Sequence, residues 1–133
     1  MKRINLIISI LMVVLLLPSN LLSQDWPQFR GTSRDSKVTG FKAPQTWPRA
    51  LTQEWKVKVG TGDATPILVG KKLYLHTRQE NSEVILCLDA ATGKDIWSEK
   101  YEAPPVTGPA GSHPGPRSTP AYSDGKVVTY GTS

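Results

Sequence analysis

Hydrophobic and polar residues alternate strictly over Glu54-Trp-Lys-Val-Lys-Val59, with Trp55, Val57 and Val59 on one face and Glu54, Lys56 and Lys58 on the other. That period of two predicts a half-buried strand. Gly60-Thr-Gly-Asp63 follows as a turn. Three further strands are expected over Thr65–Val69, Lys72–Thr77 and Val84–Leu88, joined at Gly70-Lys71 and Glu80-Asn81-Ser82. Asp89-Ala-Ala-Thr-Gly-Lys94 reads as a longer turn, with Gly93 suited to positive φ and Asp89 and Thr92 able to bond nearby amides. Asp95–Tyr101, carrying Trp97, completes four antiparallel strands over residues 65–101. Residues 103–117 hold five prolines and three glycines, which excludes a central strand. Two more strands are expected over Thr119–Ser123 and Lys126–Tyr130.

These elements repeat. Thr65-Pro66 and Thr119-Pro120 head matching segments 54 positions apart, and Trp55 and Trp97 lie 42 apart, the difference falling in the proline-rich insertion. A period near forty residues with a Trp strand in each unit predicts an all-β fold, the antiparallel four-stranded blades of a β-propeller. Residues 65–101 form a full first blade and residues 118–133 start a second. Propellers close with several blades, so the reading is an incomplete ring and an N-terminal fragment of a longer protein. The lone strand at 54–59 is expected to close such a ring, leaving an exposed sheet edge here; the alternative is that it adds to the first blade.

Upstream, residues 24–53, with Pro27, Pro44 and Pro48, read as an irregular lead-in. Residues 1–23 have the layout of a secretory signal: Met1-Lys2-Arg3, an apolar run from Leu6 to Leu17 broken by Ser9, then Pro18-Ser19-Asn20. The run falls short of the roughly 18 apolar residues a spanning anchor needs. Cleavage after Ser23 would leave 14 of the 16 basic side chains against 11 acidic ones, a charge of about +3, and an exported chain, periplasmic or secreted. The positive charges are scattered, which disfavours a nucleic-acid partner. Cys87, the single cysteine, sits in an apolar run and is expected to be a buried small hydrophobe.

Leu88-Asp-Ala-Ala-Thr-Gly-Lys-Asp-Ile-Trp97 resembles the repeat of the pyrroloquinoline quinone (PQQ)-like β-propellers, and Asp25-Trp-Pro-Gln-Phe-Arg-Gly31 with Arg34-Asp35 looks like the start of exported bacterial members. The resemblance covers about Asp25 to Ser133. Cys87 where Ala is commoner and Ser36 where Gly is frequent are small departures. It implies that Trp97 docks between adjacent blades, its indole N–H on a backbone acceptor, with Asp89, Thr92 and Gly93 fixing the turn. Asp89 as a general base is the weaker reading, since turn chemistry already accounts for it.

No nucleophile triad, metal spacing or phosphate loop is present, and Gly60-Thr-Gly62 lacks the helix a dinucleotide site needs. No catalytic or metal-ligating residue is assigned. His76 is expected to pack or face solvent. Arg117, in His113-Pro-Gly-Pro-Arg-Ser-Thr-Pro120, is the cofactor-binding candidate, because its fork could hold a carboxylate, a phosphate or the quinone's acids. A bond to loop carbonyls is its bland alternative, and His113 is the weaker candidate. Two functions follow. One is a noncatalytic exported scaffold presenting loops to an envelope protein or glycan, beside the missing blades of its own parent. The other is the N-terminal part of a PQQ-dependent alcohol or sugar dehydrogenase, with PQQ and calcium bound by the full-length parent and not by this fragment. Such enzymes often carry adjacent cysteines, which one cysteine cannot supply. No turnover is expected of this chain alone.

Overall fold

A computed structural model describes residues 24–132; the signal segment expected over residues 1–23 lies outside them. Among the described residues the chain is all-β, with six strands and one short 3-10 turn. Strands β1 (Ile67–Val69), β2 (Lys72–Gln79), β3 (Ser82–Asp89) and β4 (Asp95–Glu102) form one antiparallel sheet in the order β1-β2-β3-β4, and β5 (Ala121–Ser123) pairs with β6 (Lys126–Val128) in a second. The 3-10 turn, Gly108–Ser112, lies in the proline-rich insertion. Among the described residues no helix is long and apolar enough to cross a membrane.

The turns follow from residue chemistry. Ser123 pairs with Lys126 across Asp124 (φ +49°) and Gly125 (φ +77°), both left-handed, the geometry whose twist matches antiparallel strands. The β3–β4 turn is held by Asp89, whose Oδ1 accepts from Thr92 N (2.9 Å) and Thr92 Oγ1 (2.7 Å) while Gly93 N donates to Asp89 O (2.8 Å). Thr92's hydroxyl, more than its amide, holds the Asp89 carboxyl below the usual range. Asp89 is thus a turn residue, as its sequence context predicts.

The sheet is a middle layer. On one face Ile67, Tyr74 and Cys87 pack with Val69 and with Tyr122 and Val127 of the β5–β6 hairpin; on the other, Val84, Leu86 and Leu88 pack with Val59, Leu73 and Leu75. β3 is therefore buried on both sides, and its fully buried Leu88 contributes on the order of 1.5–3 kcal/mol. Cys87 is fully buried, and burial pushes its thiol up. It is expected to resist a thiol-reactive dye in the folded protein and to react on unfolding; labelling at native rates equal to those in denaturant would contradict this burial.

The expected strand at Glu54–Val59 is absent: the segment forms no ladder, either with β4 or with any other strand among the described residues. It lies against the sheet instead. Val59 joins the Val84/Leu86/Leu88 cluster, Gln79 Nε2 donates to Val59 O (3.0 Å), and Thr61 makes an isolated bridge to Arg78. The alternation was real as a packing signal, since Trp55 and Val59 are half-buried, but period two does not say whether a partner edge is present. Val57, on the same expected face, is exposed.

Trp55 also makes the contact anticipated for Trp97. Its indole covers buried Gly93, where an added Cβ would meet ring carbons at 2.6 to 3.1 Å, and Nε1 donates to Ala90 O (3.2 Å). Trp97 is 37% exposed, tilted against Tyr74 at 6.0 Å between ring centroids, and its indole N–H bonds nothing among the described residues. The segment before Glu54 covers the free edge of β1: Trp26 exchanges backbone bonds with Leu68 (2.7 and 3.1 Å), and Pro27 O accepts from Tyr122 N. The exposed edge of this sheet is β4, which among the described residues pairs only with β3 and is exposed along its whole length.

Candidate functional site

Alternation places His76 (β2), Glu83 (β3) and Tyr101 (β4) on the face that carries Cys87. Glu83 and Tyr101 are direct register partners, and His76 lies diagonally across from Glu83, opposite Ile85. His76 and Tyr101 converge on the Glu83 carboxylate. Glu83 is 0% exposed; its Oε2 accepts from Tyr101 Oη (2.5 Å) and lies 3.2 Å from His76 Nε2, while Oε1 accepts from Thr132 N (2.9 Å) and Thr132 Oγ1 (2.7 Å). After Val128 the chain leaves the β5–β6 ladder and brings Gly131 and Thr132 onto this carboxylate. An added Cβ at Gly131 would collide with Glu83 Oε2 and the Tyr101 hydroxyl, so the close passage requires glycine.

Burial pushes the Glu83 carboxyl up, but the bonds from Tyr101 and Thr132, with His76 beside them, outweigh it and hold it below the usual carboxylate value. Burial is also the larger influence on His76 and lowers it despite Glu83, so the imidazole is neutral. The network assigns the proton to Nε2, facing Glu83 and the Tyr101 oxygen, and leaves Nδ1 buried without a partner. Burial, and then Glu83, raise Tyr101 to about 12. A carboxylate with both oxygens fully engaged is held as a structural anion that ties β2, β3 and β4 to the segment after β6. It has no open lone pair with which to act as a base.

Beside this cluster Val106, Arg117, Tyr130, Gly131 and Thr132 line a cleft of about 570 Å³. Arg117 reaches it exposed, and its Nη2 donates to His113 O (3.2 Å) and Ala110 O (3.5 Å), which is the loop-carbonyl alternative. His113 Nδ1 lies 3.2 Å from Asp63 Oδ2 with both side chains more than half exposed, an arrangement that contributes little to stability. Arg117 and the Glu83 cluster thus lie at one cleft, but Arg117 does not touch the cluster.

The cleft beside Arg117 does not fit a quinone with its calcium. The cleft offers the tricarboxylate one guanidinium, that of Arg117, already shared with carbonyls, and the described residues hold no group of three His, Cys, Asp or Glu side chains that could hold a metal ion. Sequence reasoning passed over Glu83, Tyr101 and Thr132. The available signal was parity: Glu83 shares the inward register of Ile85 and Cys87, so an acid within Ser82–Leu88 had to be buried and partnered.

Fold and site define an all-β protein of antiparallel sheets whose buried polar cluster is structural. Over 67 residues the chain is 40% identical to the glycerol dehydrogenase large subunit of Gluconobacter oxydans (strain 621H), a match covering 47% of this chain and 8% of that protein. No protein-family model and no solved structure matches the chain.

Proposed function

We propose that this chain is a segment of an exported PQQ-like β-propeller protein of the dehydrogenase class, oxidising an alcohol or polyol, in which residues 54–132 supply blade structure and no reacting group. The Trp55 lock carries this reading. A tryptophan from outside the four-stranded sheet seals the Asp89–Lys94 turn of that sheet, as one blade seals the next in the repeat that Leu88–Trp97 resembles. The layered packing, with Glu54–Val59 on one face and the β5–β6 hairpin on the other, gives the sheet the two neighbours a blade has. The similarity to a glycerol dehydrogenase subunit supports the choice of reaction class.

The failed fit of quinone and calcium to the cleft beside Arg117 favours a second reading, a noncatalytic envelope scaffold whose loops meet a protein or glycan. Dye-coupled oxidation of glycerol, by the protein produced from its native reading frame and supplied with PQQ and calcium, separates the two. Dye reduction that depends on both additions is expected. No PQQ binding and no dye reduction with glycerol, other alcohols or sugars would overturn the dehydrogenase reading.

A further inference from the structure

Among the described residues Arg78 is a buried cation without a counter-ion. The residue is 5% exposed; Nε donates to Glu80 O (3.2 Å), Nη2 donates to Ala103 O and Pro104 O (2.8 Å each), and Nη1 is buried with no partner. Glu83 is its direct partner across the β2–β3 ladder, but both oxygens of that carboxylate are taken by His76, Tyr101 and Thr132. Among the described residues the contacts within 4.0 Å between a basic and an acidic side chain are His76–Glu83 and His113–Asp63, and neither includes Arg78. Carbonyl dipoles solvate a guanidinium but do not neutralise it, and buried charges are ordinarily paired.

Arg78 also lines a cleft of about 500 Å³ together with Lys58, Glu80, Pro105, Val106 and Pro114. Lys58 brings a second positive charge to this lining, and the prolines and Val106 add apolar surface to it. We propose that this cleft binds a small carboxylate with an apolar body. The carboxylate neutralises Arg78, accepts from its unpartnered Nη1 and faces the Lys58 ammonium, while the apolar body lies on Pro105 and Val106. Nη1 is closed off from solvent, so contact requires a side-chain-scale shift of the groups around it. One free nitrogen beside an apolar wall suits a carboxylate better than a phosphate, which is more heavily hydrated and needs more donors. Glu80, also at the cleft, opposes any anion. This site stands independently of the dehydrogenase reading.

Calorimetric titration of the full chain with sodium benzoate, at ionic strength fixed with chloride, tests it. Saturable binding is expected. Lys58→Glu should weaken it at least about fivefold and Glu80→Gln tighten it about twofold, both with unchanged melting. Arg78→Gln should abolish it; if that variant fails to fold, the two surface variants decide. No saturation below about 10 mM overturns the proposal. So does benzoate binding indifferent to both surface variants, and phosphate binding as tightly as benzoate removes the carboxylate assignment.

Discussion

Replacing Glu83 by alanine should cost about 3–5 kcal/mol of folding free energy, measured by urea unfolding. The substitution removes a fully buried anion and strands the Tyr101 hydroxyl, the His76 Nε2–H and both Thr132 donors. A loss below about 1 kcal/mol would mean the cluster is not formed in solution, since that is the level of one ordinary hydrogen bond. The pH dependence has a definite sign. Glu83 in the folded chain lies below its ordinary value of 4.5, so its contribution is complete above the carboxylate range and is lost as pH falls through that range. His76 is lowered from 6.5, so the unfolded chain takes up this proton first, and stability begins to fall as pH drops below about 6.5. Both groups act in the same direction. Glu83→Gln should remove the carboxylate part of this acid limb and keep the histidine part.

The second large effect is at Gly93. Gly93→Ala should destabilise by about 3 kcal/mol, combining a side chain at φ +69° with a collision against the Trp55 ring at 2.6 Å. Gly70→Ala provides the control, because φ is +58° and nothing lies within 4 Å of an added Cβ; about 1 kcal/mol is expected there. Only the Gly93 variant should shift tryptophan emission to the red, as Trp55 is pushed into water. Equal costs at the two glycines would show that Trp55 does not rest on this turn.

The strands were legible because each carries a local signal. Asp124-Gly125 demands a hairpin, Asp89 and Thr92 fix their own turn within a few residues, and the apolar run Val84–Leu88 marks a strand buried on both faces. Pro66 has no N–H to give a ladder, so β1 starts at Ile67, later than Thr65. The cluster was less legible because its parts are remote: Thr132 lies 49 positions from Glu83, and Tyr101 lies 18. Glu54–Val59 shows the ambiguity of the period itself. The same alternation serves a strand in a ladder and an extended chain on a sheet face, and only the position of neighbouring backbone separates them. Arg117 was singled out for its loop setting, and in that loop the nearest acceptors are carbonyls of its own segment. Arg78 was missed because a charged residue near a strand end reads as solvated until the chain beyond β4 folds over it.

Central to this account is the seating of Trp55 on the turn between β3 and β4, and hydrogen exchange of the indole N–H groups measures it most directly. Among the described residues the Trp55 indole alone has a bonded N–H, so one slowly exchanging indole signal is expected, and Trp55→Phe should delete it. If every indole proton exchanges at the rate of free tryptophan, or the protected signal survives in Trp55→Phe, the segment 54–59 is not docked on the sheet and the blade reading fails with it.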